Sequence, residues 1–375
     1  MDGLSTPTPW ERFVCGEAAP GFTGRTAENP KLTLDSFAGR HLLLGFFRSA
    51  ADGDGAAMLA AVARHRALFD DDRVSFFGVT TDAEDAPAGR IPTQVPGIRH
   101  FLDPDRAVSR LYGAAGGEEA HTAFWLLLDP TLRVLTAGPV AETDRIMAVV
   151  AGLPPSDLHA GMEIQAPVLI VPRVFEPDFC RLLVALHRFH GGLDSGVMDE
   201  VDGKMVGVYD YSRKRRRDYI LQDQALCLAA ADRIGRRLVP QVRRALAFDA
   251  TRLERHIVAC YDAEEGGHFK PHRDNTAGGT AHRRFAVTVN LNAEDYEGGD
   301  LRFPEFGPRT YRAPTGGAVV FACGLLHEAT PVTRGQRYAY LPFLYDEAGE
   351  KQRLAYLETM PRRDATHSGT GGGGL

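Results

Sequence analysis

Two histidines and an aspartate stand at a spacing that can hold a metal ion. His272-Arg273-Asp274 places an imidazole and a carboxylate two residues apart. On a strand, or on the turn leaving one, positions i and i+2 project to the same side, so both can reach one ion. A second imidazole, His327, follows the strand-like run that begins at Ala318. Two imidazoles and one carboxylate on one face of an ion leave its other positions open. That set suits a non-haem ferrous ion that must also bind small ligands; a structural zinc site would be closed, usually with thiolates. Arg337 lies ten residues after His327, beyond Arg334-Gly335. If antiparallel strands flank that turn, Arg337 folds back beside the metal strand. Its guanidinium then offers a two-pronged clamp for the distal end of a dicarboxylate.

Other residues are candidates for the same pocket. Tyr261 sits eleven residues before His272 on the preceding strand, and two readings stand for it: a contact to the dicarboxylate, or a core tyrosine with a satisfied hydroxyl. Thr288 and Asn290 share one face of the alternating run Phe285 to Leu291, either lining the pocket or packing. His268 and His282 read as surface or supporting residues. The run Arg213-Lys214-Arg215-Arg216-Arg217 reads as a solvated loop near the mouth or as a recognition element for an anionic substrate.

These residues need elements to carry them. From His256 onward the pattern is short strands separated by Gly, Pro and Asn, which suggests a β-sandwich or barrel. Two helices precede it, Pro177 to Phe189 and about Gln222 to Leu246. The first half reads differently. Leu42 to Phe47 is a continuous apolar run, as expected of a buried strand. Ala56 to Phe69 has helical spacing, Arg73 to Thr80 is a second strand, and Asp105 to Tyr112 is a short helix. A hairpin straddles Asp129-Pro130, and Thr143 to Ala151 is a closing helix. This βα alternation predicts a sheet with helices on its faces.

Composition bounds the alternatives. The chain has 375 residues, 44% hydrophobic and 25% charged, which excludes wholesale disorder and fibrous classes. The formal net charge of -6 lies wholly in the first 150 residues, where 14 Lys and Arg face 20 Asp and Glu; the remainder carries 29 of each. That step points to two units, and with no basic half it argues against nucleic-acid binding. Five cysteines, Cys15, Cys180, Cys227, Cys260 and Cys323, form no CxxC pair, the pattern of reduced thiols in a cytosol. Met1 to Phe13 shows no basic region followed by an apolar run, and no stretch reaches 18 apolar residues, so a cytoplasmic protein without signal or membrane partner is expected.

The motif set from about Val174 to Tyr345 resembles the prolyl-4-hydroxylase-type branch of the 2-oxoglutarate/Fe(II) dioxygenases. The resemblance is carried by Tyr261…Gly267-His268-Phe269-Lys270-Pro271-His272-Arg273-Asp274, by Glu297-Gly298-Gly299-Asp300-Leu301-Arg302-Phe303-Pro304, and by Gly316 to Phe321 followed by His327 and Arg337. It implies a double-stranded β-helix (jelly-roll, cupin-like) domain with supporting helices. His272, Asp274 and His327 become iron ligands and catalytic residues, Arg337 binds 2-oxoglutarate, and dioxygen is a cosubstrate, with ascorbate a further expected cofactor. Arg at 337 departs from the Lys of the animal collagen enzymes and matches bacterial relatives, which loosens any inference of proline as substrate. The first half, about Phe13 to Gly152, resembles the peroxiredoxin group of thioredoxin folds through Gly16 to Phe22, Leu34 to Arg40, Phe101 to Asp105 and Leu127 to Pro130. That group needs a thiolate after the strand ending at Phe47, but Arg48 to Ala57 contains no Cys, so peroxidase chemistry is not expected.

The expected organisation is therefore an α/β thioredoxin-like domain over 1–155, a linker over 156–172, a dioxygenase domain over 173–360, and a flexible tail over 361–375. The expected function is a 2-oxoglutarate- and Fe(II)-dependent dioxygenase. It would hydroxylate an unactivated C–H of an amino acid, a peptidyl residue or a small natural product and release succinate and carbon dioxide. A second reading is a redox-coupled or ligand-binding protein whose thioredoxin-like half docks or forms a homodimer.

Overall fold

A computed structural model describes residues 8–117, 120–201, 204–359 and 373–374, with 197–201 and 204–207 described by backbone alone. The expected tail over 361–375 therefore lies outside the described residues, apart from Gly373 and Gly374. The chain divides into two compact units, residues 1–165 with 304–308, and residues 166–303 with 309–375.

The first unit is built on a five-stranded sheet. Its order is Ile98–Leu102, Val74–Thr80, His41–Phe47, Phe124–Leu128 and Val134–Pro139. The first three strands run parallel and the last two antiparallel. His41–Phe47 and Val74–Thr80 are buried along their whole length, which is why they read as unbroken apolar runs. Gly53–Arg64 and Thr143–Ala151 are the helices that bury Met58, Val62, Ile146 and Val150 in its core. After the strand His41–Phe47, in the segment that contains no Cys, the chain carries Ser49. Its hydroxyl donates to Asp82 at 2.6 Å and to Asp85 at 3.2 Å, and Arg90 closes the cluster onto both carboxylates. That serine is committed to structure.

The second unit consists of antiparallel sheets. The larger runs Arg252–Glu254, Phe343–Tyr345, Phe285–Asn290, Gln336–Tyr340, Ile257–Asp262, Arg217–Ile220, with Ala318–Ala322 branching from Phe285–Asn290. The smaller runs Lys214–Arg215, His268–His272, His327–Ala329, Leu301–Arg302, Thr310–Tyr311. Helices Pro177–His190, Gln224–Arg233 and Val239–Leu246 pack Leu183, Ala230 and Val242 into the core with Val258, Val287 and Tyr340.

Several expectations are corrected. The long second helix opens into a π-turn over Ile234–Leu238, next to Pro240, which has no N–H to continue an α-helical ladder. The end of the expected linker is the strand Leu169–Val171, paired with Ala318–Ala322. The run Arg213 to Arg217, read as a solvated loop, belongs to a stretch with a hairpin of Val197–Val201 with Lys204–Val208 and two further strands, Lys214–Arg215 and Arg217–Ile220. Within it the basic run alternates as a strand does: Lys214 and Arg216 are buried, while Arg213 and Arg217 are exposed.

Candidate active site

The two histidines meet because they are direct cross-strand partners. His272 ends the strand His268–His272 and lies opposite His327 in the antiparallel pair, with a register irregularity between Phe269 and His272. Opposed residues of such a pair project to one face, and the rings stand 4.3 Å apart. Asp274 follows after the strand, its N–H held by the carbonyl of Cys323. The three side chains offer ligand atoms that all lie within 4.8 Å of one another. His327 Nε2 is 3.3 Å and His272 Nε2 3.7 Å from the Asp274 carboxylate.

Each imidazole is fixed in one tautomer. His272 Nδ1 donates to the carbonyl of Lys270 at 2.8 Å and His327 Nδ1 to that of Leu325 at 3.0 Å. A carbonyl only accepts, so each Nδ1 carries the proton and each Nε2 presents its lone pair to the shared space. Phe269 stacks on His272, and Phe321 packs against His327. Burial, with His327 alongside, pushes the His272 imidazole down to about 3, so it is neutral at neutral pH. Burial alone would raise the Asp274 carboxyl, but His327, His272 and Arg283 outweigh it and hold it well below the usual range. A neutral imidazole at His272 and an ionised carboxylate at Asp274 are the protonation states a divalent cation requires of such ligands. The donor set fits Fe(II).

Arg337 is placed elsewhere than expected. Val332–Arg334 pairs with Glu297–Gly298, not with its successor. Gly335, at φ 73°, turns the chain into Gln336–Tyr340 in the larger sheet; a Cβ there would sit 2.5 Å from the carbonyl of Asp295. Arg337 consequently lies opposite Tyr261, not beside the metal strand. It is 2% exposed, and its Nε and one terminal nitrogen have no hydrogen-bond partner. Beside it the Tyr296 hydroxyl is likewise buried and unpartnered. These groups border a narrow recess lined also by Thr288, Asn290, Gly299 and Leu301. A dry cation with free N–H groups is costly unless an anion joins it, and the fork matches a carboxylate. The residues fit the distal end of 2-oxoglutarate.

The other candidates fall out as follows. Thr288 and Asn290 line the recess, but the Asn290 amide donates to the carbonyl of Ala313 at 2.6 Å. The Tyr261 ring lies 4.8 Å under the Arg337 guanidinium, and its hydroxyl accepts from Arg216 at 3.3 Å. Arg334, which precedes the turn, is exposed and paired with Glu297. His268 has its ring nitrogens against the carbonyls of Gly266 and Ser212. His282 is buried against Glu254 at 2.9 Å. Sequence reasoning missed Tyr296, whose signal is the Gly298-Gly299 pair just after it. At Gly299 a Cβ would stand 3.1 Å from Arg337 Cδ. It also missed Glu254, which pairs with Arg283 at 2.6 Å, and the burial of Lys214, whose ammonium burial and then Arg216 push down to about 6.

Comparison with known proteins follows the same lines. Residues 256–345 match the 2OG-Fe(II) oxygenase superfamily. A PKHD-type hydroxylase of Pseudomonas putida is 28% identical over 185 residues, 46% of this chain and 75% of the relative. Among solved structures, a Pseudomonas putida prolyl-4-hydroxylase covers 51% of this chain and 96% of its own at 19% identity and a TM-score of 0.35. A Plasmodium yoelii thioredoxin peroxidase I covers 37% of this chain and 90% of its own at 16% identity and a TM-score of 0.32. Among the described residues no helix is long and apolar enough to cross a membrane.

Proposed function

We propose, from the 2OG-Fe(II) oxygenase domain that residues 256–345 form, that this Fe(II)- and 2-oxoglutarate-dependent dioxygenase hydroxylates an amino-acid, peptidyl or small natural-product substrate. The observation that carries the reading is a two-part site: a His272–Asp274–His327 donor cluster and, on the other sheet, a dry and unpartnered Arg337. Two antiparallel sheets supplying one half of the site each support a double-stranded β-helix. The five-stranded sheet of the first unit, mixed parallel and antiparallel, supports a thioredoxin-like domain over 1–155, followed by the oxygenase domain over 173–360, now extended back to the strand at Leu169.

His272, Asp274 and His327 would hold Fe(II), and Arg337 would hold the distal carboxylate of 2-oxoglutarate, with Tyr296 and Tyr261 as neighbouring hydroxyls. When bound, these groups and dioxygen supply the oxidising equivalents that place one oxygen on substrate and release succinate and carbon dioxide. The chain's own part is geometric and electrostatic. The carbonyls of Lys270 and Leu325 hold the imidazole tautomers, so no proton competes for Nε2. Phe269, Phe303 and Phe321 wall the histidines against water. Arg337 orients the dicarboxylate through a planar fork.

The test is direct. Fe(II) and 2-oxoglutarate added without air should give a weak visible charge-transfer band, and air should then give succinate, with and without ascorbate. A substrate panel read by mass spectrometry should show a gain of one oxygen. A band with no turnover on any substrate would favour the binding-protein reading.

A further inference from the structure

The buried end of the basic run adjoins the cosubstrate pocket. Arg216 is buried, and one terminal nitrogen donates to the Asp218 carboxylate at 2.7 Å. Both residues stand on the strand side that faces inward, since i and i+2 share a face. Ser195 also donates to Asp218, at 2.6 Å, and Lys214 donates to Ser195 at 2.7 Å. The other terminal nitrogen of Arg216 lies 3.3 Å from the Tyr261 hydroxyl. Tyr261 thus sits between two buried guanidiniums. Arg337 lies over its ring at 4.8 Å, and Arg216 lies 5.8 Å from the same ring.

The donor count gives this arrangement a direction. A guanidinium has no acceptor, so the contact to Tyr261 must use a lone pair of the phenol oxygen. The phenol's own proton is then excluded from Arg216 and must be donated elsewhere. We infer that Arg216, anchored by Asp218, is a positioning residue that orients Tyr261 as a hydrogen-bond donor to the 2-oxoglutarate carboxylate held by Arg337. The inference rests on the proposed reading of Arg337 and Tyr261 as cosubstrate contacts. It assigns the basic run a role inside the domain: one of its five members acts through a tyrosine, and no anionic substrate is needed to explain its burial.

The experiment is a mutant cycle on the full chain. Tyr261→Phe removes the hydroxyl and keeps the ring. Arg216→Gln with Asp218→Asn removes both partners of the ion pair together, so that no lone charge is left buried. The KM for 2-oxoglutarate and kcat are read by succinate release, with a melting curve for each variant. Each should raise KM about tenfold, the loss expected for one hydrogen bond to a charged group, with the effect on KM rather than kcat. The combined triple variant should be no worse than Tyr261→Phe alone. Multiplying effects, near a hundredfold in the triple, would overturn the inference, because Arg216 would then act independently of Tyr261. So would a normal KM in Arg216→Gln/Asp218→Asn when Tyr261→Phe is impaired. If Arg337→Met leaves the 2-oxoglutarate KM unchanged, the cosubstrate reading itself fails and the inference fails with it; a raised KM in Arg337→Met alone isolates the failure to Tyr261 and Arg216.

Discussion

Replacing Arg337 by Met keeps most of the apolar stem and removes the guanidinium. Two separate effects should follow. Affinity for 2-oxoglutarate should fall, because a charge-assisted contact contributes about 1.5–3 kcal/mol, or roughly 10- to 150-fold in Kd. Stability without cosubstrate should fall little, because Arg337 Nε and one terminal nitrogen make no hydrogen bond within the protein and the guanidinium loses mainly its stack on the Tyr261 ring, worth about 0.5–2 kcal/mol. Removing an uncompensated buried charge is neutral or stabilising. The two effects separate in a thermal-shift assay. At a concentration of about 100 times Kd, 2-oxoglutarate stabilises the wild-type protein by roughly 2.7 kcal/mol, or about 5–10 °C for a unit of this size. With Kd raised about 50-fold, the same concentration stabilises by only about 0.6 kcal/mol, a shift of roughly 1–3 °C. Arg334→Met, which loses only an exposed pair with Glu297, should retain the full shift. An unchanged 2-oxoglutarate KM in Arg337→Met would refute the clamp. A drop of several degrees in the melting point without cosubstrate, with the ligand shift retained, would show that the guanidinium has a structural partner instead.

His272→Ala and Asp274→Ala should each abolish succinate release while circular dichroism and melting stay near wild type, since both side chains border the site rather than form the core; full turnover in either would reject the metal assignment. Glu254→Gln should cost about 3–5 kcal/mol in urea unfolding, because Arg283 and His282 lose their buried counter-charge; a change below about 1 kcal/mol would show that the pair is dispensable. Burial would raise the Asp71 carboxyl, but Arg99, Ser75 and Arg40 bring it down to about 2. Its folded value lies below the unfolded one, so the stabilisation is complete above about pH 4 and is lost as pH falls towards about 2. It amounts to about 2 kcal/mol, and acid titrations of wild type and Asp71→Asn should converge below that range; curves that stay parallel would exclude Asp71 as the source.

What the sequence made legible follows from which interactions are local. The strands His41–Phe47 and Phe285–Asn290 declare themselves by an apolar run and by alternation, both properties of a single segment. The metal cluster is legible for a related reason: His272 and Asp274 are two residues apart, and only His327 has to be brought in. Arg337 was expected beside the metal strand and lies in the other sheet. Nothing in residues 331–338 says that Val332–Arg334 will pair with Glu297–Gly298 and that Gly335 will pass the chain to the other sheet. Tyr296 and Glu254 were not legible, because a tyrosine or glutamate becomes functional only through a partner about 30 to 40 residues away. The run from Arg213 to Arg217 misled for the opposite reason. Five like residues in sequence suggest one environment, yet strand alternation gives buried and exposed sides, and Asp218 supplies the counter-charge that lets Arg216 go in.

The separation of the metal cluster from Arg337 onto different sheets has a thermodynamic consequence. The cluster carries its own counter-charge: Asp274 lies between two imidazoles, its carboxyl held ionised, and its side chain remains 15% accessible. Such a site tolerates exchange of ions and ligands with solvent. Arg337 is dry, and the Tyr296 hydroxyl beside it is likewise buried without a well-formed hydrogen bond. A carboxylate that reached Arg337 would satisfy two donors that have no hydrogen-bond partner within the protein. Discrimination for a dicarboxylate follows from that asymmetry. A monocarboxylate that reached only the metal cluster would leave Arg337 unpaired, and one that reached only Arg337 would leave the open positions of the metal to water. Selectivity would then depend on spanning both sheets, and substitutions at Arg337 should weaken preference for 2-oxoglutarate over shorter keto acids while leaving metal affinity alone.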